Sequence, residues 1–200
     1  MASILSKLKA RFGRNGVGRT LNYIVFVVFL ERCGVFVNDE FILDPSSVDT
    51  DSTAKDGFTL ETLTSTEQLS DSDIEFLGDY GELSAFGVRF ARGQTGLIVR
   101  ADNGDLAGAY WYGPLKSDGS RRDGTIDHCF TRHDYRGNGL YPWALRAIAS
   151  STTGKNAEGF SKLYIECSAF NYSSAAGIRK AGFVHSESVL MIGNRVILKW

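Results

Sequence analysis

From Asp134 to Ile148 the chain reads "DYRGNGLYPWALRAI", two glycines, two arginines and a proline packed around the start of a helical pattern. Glycine accepts left-handed backbone and lets a second group approach closely. A helix that starts just after it leaves its first N–H groups without intrahelical partners, and the positive end of the helix dipole lies there too. Together these favour an anion, phosphate above all. Arg136 adds a charged donor, and Pro142 suits a first turn because its missing N–H would go unused there. Alone, the same residues would also make an ordinary turn. The common nucleotide loops do not apply, because the chain has no GxxxxGK(S/T) and no GxGxxG opening a βαβ unit.

A second group of chemically capable side chains lies just upstream, in "GTIDHCFT" from Gly124 to Thr131. Strand alternation predicts Asp127, Cys129 and Thr131 on one face and His128 and Phe130 on the other. Asp127 and then His128 are the candidates for a general base near neutral pH. Each also has a bland reading, Asp127 as a satisfied strand-end carboxylate and His128 as a packing residue. Cys33, Cys129 and Cys167 are scattered, with no CxxC pair, so neither a disulfide framework nor a zinc site is expected. That usage fits a reducing cytoplasm.

The elements that must position these groups are clearest from Leu97 onward. "GLIVRA" and "LAGAYWYG" read as antiparallel strands joined at Asn103-Gly104, a dipeptide suited to a tight hairpin. Gly124 to Thr131 follows as a third strand. A helix is predicted from about Pro142 to Ser151, with Trp143, Ala144, Ala147 and Ile148 inward and Gly154 as its stop. "KLYIECSAF" is the next strand, then a helix from about Ser173 to Ala181, and a closing hairpin turns at Gly193-Asn194. Upstream, "FTLETLT" is a strand and Ser70 to Gly78 a short helix. Hairpins first, then strands interleaved with helices, predict an α/β (α+β) fold: a mixed, mostly antiparallel central sheet with helices on both faces.

Composition bounds the rest. Two hundred residues, 43% hydrophobic and 22% charged, suit one soluble domain. A basic arm or helix with an apolar segment is expected over 1–36 and a single domain over 37–200, with its motif-bearing core at 97–200. The net charge of −1 gives no reason to expect nucleic acid. Its distribution is uneven, however. Lys7, Lys9, Arg11, Arg14 and Arg19 stand without an acid in the first twenty residues, and Ile4, Leu5, Leu8 and Phe12 recur at helical spacing. Such an arm could meet an anionic membrane or a protein partner, or pack on its own domain. From Asp39 to Glu82 there are 13 acids against the single Lys55. The run "YIVFVVFL", Tyr23 to Leu30, is far shorter than the ~20 residues that span a bilayer.

The segment "CFTRHDYRGNGLYPWALRAI" resembles the coenzyme A pyrophosphate loop of the GNAT N-acetyltransferase superfamily, (Q/R)xxGx(G/A) between a strand and a helix. Arg136 and Gly139 match its first and fourth positions, and Tyr141 stands where the family has Gly or Ala. Downstream, Asn171, Ser174 and "KAGF" (Lys180 to Phe183) are similar to the family's N-x-x-A…GF segment. The resemblance covers Leu97 to Trp200 and implies strands splayed around an acetyl-coenzyme A cleft. It implies that the backbone of Arg136, Gly137, Asn138, Gly139, Leu140 and Tyr141 meets the pyrophosphate, that Phe130 and Thr131 pair with the pantetheine, and that Asn171 touches the cofactor arm. Asn171 is equally a cap for the following helix. The implied activity is transfer of an acetyl or other short acyl group to a primary amine of a small molecule, an amino sugar among the candidates, in the cytoplasm. The alternative is a non-catalytic coenzyme A-binding or protein-interaction module. Ile178 stands where the family's usual tyrosine acid would be, which leaves Tyr172 as a substitute acid, with no metal implied.

Overall fold

The computed structural model describes residues 34–47, 54–80, 83–115, 123–152, 159–193 and 195–200. The basic arm, the apolar run of Tyr23 to Leu30 and the helix stop expected at Gly154 lie outside the described residues. Eight strands and four α-helices are present among those described: β1 Val35–Leu43, β2 Phe58–Leu63, α1 Asp71–Tyr80, α2 Leu83–Ala91, β3 Thr95–Ala101, β4 Leu106–Pro114, β5 Asp123–Thr131, α3 Leu140–Ser151, β6 Lys162–Ser168, α4 Tyr172–Lys180, β7 Val184–Ile192 and β8 Arg195–Lys199. The strands form one sheet in the order β2-β3-β4-β5-β6-β1-β7-β8. Pairing is antiparallel from β2 through β5 and between β7 and β8, and parallel between β5 and β6. This is the mixed, mostly antiparallel sheet predicted from the element order.

Two elements escape the sequence pattern. In β1 the central Asn38, Asp39 and Glu40 interrupt the apolar alternation. In α2, "LSAFGVRFA", the interior Gly87 lowers helix propensity, and packing of Phe86 and Phe90 overrides it. No described helix is long and apolar enough to cross a membrane.

The chain divides into two compact units. The larger comprises Phe41–Glu166 and Ala176–His185. On one face of its strands Leu63, Ile98, Leu106, Ala109 and Trp111 pack with Leu77 of α1 and Phe86 of α2. The rings of Phe86 and Phe90 meet Trp111 edge-on at 4.7 and 4.9 Å. Tyr110, the next residue along β4, points the opposite way and is fully buried on the side of α3, where Trp143, Ala144, Leu145 and Ile148 are also buried. Helices therefore cover both sheet faces within this unit.

The start of α1 is fastened by a reciprocal cap. Ser70 N–H donates to Asp73 Oδ2 (3.1 Å) and Asp73 N–H to Ser70 Oγ (3.2 Å). Arg100 then grips both Asp73 oxygens, at 3.1 and 3.0 Å, and Glu61 through its Nε. Burial alone would raise the Asp73 carboxyl, but the hydrogen bonds from Arg100 and Ser70 outweigh it and hold the group below the usual carboxylate range.

The smaller unit comprises Met1–Glu40, Cys167–Ala175 and Ser186–Trp200, described from Gly34. Ser188 exchanges two backbone hydrogen bonds with Trp200, and its hydroxyl donates to Asp39 Oδ1 at 2.7 Å. The backbone N–H of Gly193 donates to the Gly34 carbonyl at 2.6 Å.

Candidate functional site

The glycine-rich stretch behaves as its composition predicts, with one adjustment. After β5 a short 3-10 turn, His133–Tyr135, leads into Gly137 (φ 90°) and Gly139 (φ 68°), and α3 begins at Leu140, two residues before Pro142. Pro142 is thus still in the first turn. A Cβ on Gly137 would meet nothing within 4 Å, and one on Gly139 would meet Lys55 Nζ at 3.7 Å. The glycines are therefore required by their left-handed backbone rather than by crowding. Arg136, Gly137, Asn138 and Gly139 are exposed and Leu140 is buried. The N–H of Arg136 is donated to the His133 carbonyl at 3.2 Å, which removes it from the donors expected to face a pyrophosphate. Arg136 Nε donates to Thr131 O (3.1 Å) and Asn138 Nδ2 to Tyr135 O (3.1 Å), so both side chains brace the loop against the strand that precedes it. An exposed turn with two left-handed glycines at a helix N-terminus fits a diphosphate by its donors and its lack of obstructing side chains.

The parallel register of β5 with β6 runs from Asp123↔Lys162 to Ile126↔Ile165 and stops there among the described residues. Asp127 to Thr131 continue opposite β4, but irregularly. Trp111 pairs with Asp127 and Ala109 with Phe130, so the single Tyr110 faces both His128 and Cys129. This is a β-bulge, and His128 takes the left-handed conformation (φ 46°) that lets the strand absorb the extra residue. The bulge overturns the predicted alternation. Asp127 and Phe130 now share the Trp111 face, and Phe130 packs on the cluster there at 6.5 Å from the Phe76 ring. Thr131 lies on the other face, its hydroxyl 2.9 Å from the Tyr110 hydroxyl.

Asp127 is tied down on both oxygens. The buried Arg89 guanidinium forms an ion pair with Oδ1, and Gln94 Nε2 donates to Oδ2 at 2.9 Å. Arg89 in turn stacks over Trp111, 5.6 Å from the ring centroid. Both Asp127 oxygens are therefore already engaged by side chains of the same unit. His128 beside it is exposed. Cys129 is different again: burial, and then the nearby Asp127 charge, push its thiol well above the ordinary range, so it is held as a neutral thiol.

Tyr141 occupies the loop's least expected position and is half-buried. Its ring stacks on Tyr110 (6.0 Å between centroids, 15° between planes), and its hydroxyl hydrogen-bonds the Cys129 side chain. The ring also lies against Gly177 of α4, where an added Cβ would stand only 2.5 Å from Tyr141 Cδ1. The tyrosine thus fills a space that a glycine on α4 leaves open. Ile178 beside it is fully buried.

Asn171 and Tyr172 belong to the smaller unit. The Asn171 carboxamide oxygen accepts from the Ser174 N–H (3.3 Å) and the Ser173 hydroxyl (3.0 Å), so it caps α4. Tyr172 is the first residue of that helix and is half-buried. The larger unit carries Asp127, His128, Phe130, Thr131 and Arg136 through Tyr141. It also supplies four contributors that sequence reasoning passed over: Arg89, Gln94, Lys55 and Gly177. Two had a signal, since Lys55 is the lone cation of an acidic block and Gly177 is a glycine inside a predicted helix. Arg89 and Gln94 had none, because their partner lies 33 to 38 residues away in sequence.

No protein-family model matches the sequence, and no curated protein matches it. Solved structures do. A tandem GNAT protein from the clavulanic acid biosynthesis pathway is 16% identical, covering 82% of this chain and 56% of its own, at a TM-score of 0.54. An acetyltransferase from the GNAT family of Colwellia psychrerythraea is 14% identical over 78% of this chain and 55% of its own, also at 0.54. The GCN5-related glucosamine N-acetyltransferase region of a fungal multi-domain GH3 β-N-acetylglucosaminidase is 13% identical over 77% and 20%, at 0.52. This chain spans a little over half the length of the first two. At such identities the likeness is one of fold.

Proposed function

The fold is that of the GNAT N-acetyltransferases, and on that premise we propose that the chain is an acyl-coenzyme A dependent N-acyltransferase. It would move an acetyl or other short acyl group to a primary amine of a small molecule. The observation that carries the reading is the pair of left-handed glycines opening α3 at the end of the strand whose parallel pairing stops at Ile126. In this reading the N–H groups at the start of α3, from Gly139 to Tyr141, hold the diphosphate, while Arg136 and Asn138 keep the loop in shape. Phe130 and Thr131 give the strand backbone along which the pantetheine would lie. The bound thioester supplies an activated carbonyl and a thiolate leaving group.

The amine must lose a proton. We assign that task to His128, which is exposed and stands in a strained bulge of the kind found at functional sites. Asp127, fixed by Arg89 and Gln94, serves in this reading as a fixed negative charge beside the amine. Tyr172 remains the candidate to protonate the thiolate, and Asn171 serves through its cap on α4. A thiol of pKa ~8.5 also leaves without much help. An amino sugar is a reasonable acceptor, as is another cationic amine drawn by exposed acids such as Asp71, Glu75 and Asp79.

The second reading, a coenzyme A-binding module without turnover, is favoured by Ile178, a buried aliphatic where related folds place an acid. Calorimetry with acetyl-coenzyme A, followed by free-thiol release across an amine panel, separates the two. Turnover with any amine supports catalysis, binding without release supports the module, and absence of binding sinks both. His128→Gln should then lower turnover by roughly 10²–10³-fold and flatten its pH profile at little change in coenzyme A affinity. An unchanged rate would return His128 to a packing role.

A further inference from the structure

Lys55 is the single basic residue among the acids between Asp39 and Glu82, and the fold carries it to the loop before α3. Its position is built rather than incidental. The Phe58 N–H donates to the Lys55 carbonyl at 3.0 Å, closing a turn. The Gly57 carbonyl accepts from the Asp102 N–H at 3.1 Å. The Phe58 ring then meets Tyr135, the last residue before Arg136, edge-on at 6.0 Å. Tyr135 is itself fixed by donating to Asp105 Oδ2 at 2.7 Å. This chain of contacts fixes the backbone at Lys55, and its ammonium lies 3.7 Å from where a Cβ on Gly139 would be.

An ammonium there stands at the wrong end of a helix. Cations are favoured at helix C-termini, and the start of α3 repels them. No described residue forms an ion pair with Lys55 or with Arg136, whereas Arg132 nearby is matched by Asp105 and Asp134. Two unmatched cations and a helix N-terminus converge on one exposed turn. That arrangement becomes favourable when an anion lies between them.

Resting on the coenzyme A reading above, we propose that Lys55 is a further cofactor-binding residue, whose ammonium contacts the diphosphate held by the loop from the side opposite the helix. The lysine would then act chiefly on affinity, and through charge. Calorimetric titration of the full chain with coenzyme A and with dephospho-coenzyme A, which keeps the diphosphate and lacks the 3′-phosphate, tests this. Lys55→Gln should weaken both ligands equally, by roughly tenfold, and reduce the salt dependence of binding, while Lys55→Arg restores most of the affinity. Affinities within about twofold of the unmutated chain for both ligands would overturn the proposal. A loss confined to coenzyme A would also overturn it, by moving the contact to the 3′-phosphate. Gly139→Val separates the two levels of inference. If it abolishes binding while Lys55→Gln changes nothing, the lysine falls and the loop stands. If the unmutated chain binds neither ligand, both fall.

Discussion

Replacing Gly177 by alanine sets two effects against each other, and the structure decides which one wins. In a helix interior alanine is favoured over glycine by about 0.8–1.0 kcal/mol, so propensity alone predicts a more stable protein. The new Cβ, however, would lie 2.5 Å from Tyr141 Cδ1 and 3.0 Å from Cε1. The ring has little room to retreat, because it stacks on Tyr110, which is itself fully buried. Overpacking of this kind costs about 1–3 kcal/mol. The net expectation is a loss of up to about 2 kcal/mol, or several degrees in Tm for a chain of this size at the upper end. In a Tyr141→Ala background the obstruction is gone, and the same substitution should stabilise by up to about 1 kcal/mol. Urea denaturation of the two single mutants and the double mutant measures the difference, which should be a coupling of about 1–3 kcal/mol, the overpacking itself. If Gly177→Ala stabilises in both backgrounds, with a coupling below about 0.5 kcal/mol, the ring is not confined between Tyr110 and Gly177 and the account of Tyr141 fails.

Asp73 has its carboxyl held below the ordinary range in the folded state, so its stabilisation is complete above the unfolded carboxylate pKa of ~3.9 and is lost as pH falls through the lowered folded value. Asp73→Asn should destabilise by about 2–3 kcal/mol at neutral pH and make the acid limb shallower; identical acid limbs for both proteins in denaturant titrations would count against the pairing with Arg100. Cys129, kept as a neutral thiol by burial, should resist iodoacetamide near pH 8 at least ~100-fold more than an exposed cysteine, as read by mass spectrometry of its peptide. Rapid labelling of native protein would show that the bulge opens to solvent.

The loop was legible because its chemistry is local. Gly137 and Gly139 announce positive φ, a helical pattern follows at once, and a helix start needs no distant partner to expose its N–H groups. The order of hairpins and helices was legible for the same reason: Asn103-Gly104 and the apolar alternation of β3 and β4 act within a few residues. Where the local signal is weak, distant packing decides the element. Asn38, Asp39 and Glu40 disguised β1, and α2 is a helix because Phe86 and Phe90 find Trp111. Asn171 carried two meanings, and its hydrogen bonds to Ser173 and Ser174 show the capping one.

The bulge at His128 is the clearest limit. Alternation assumes that every residue of β5 faces one of β4, and one additional residue opposite Tyr110 turned Asp127 and Phe130 onto the same face. No single stretch of chain encodes that pairing, because it depends on how two strands settle against each other. The same holds for the partners of Asp127, for the seat of Tyr141 and for the approach of Lys55 to Gly139. Composition and spacing decided that this chain would fold around a strand, a glycine turn and a helix. Which carboxylate is gripped by an arginine, which imidazole is left exposed and which lysine stands at the turn were decided only when residues tens of positions apart packed together, since ion pairing and steric fit act through distance in space rather than distance along the chain.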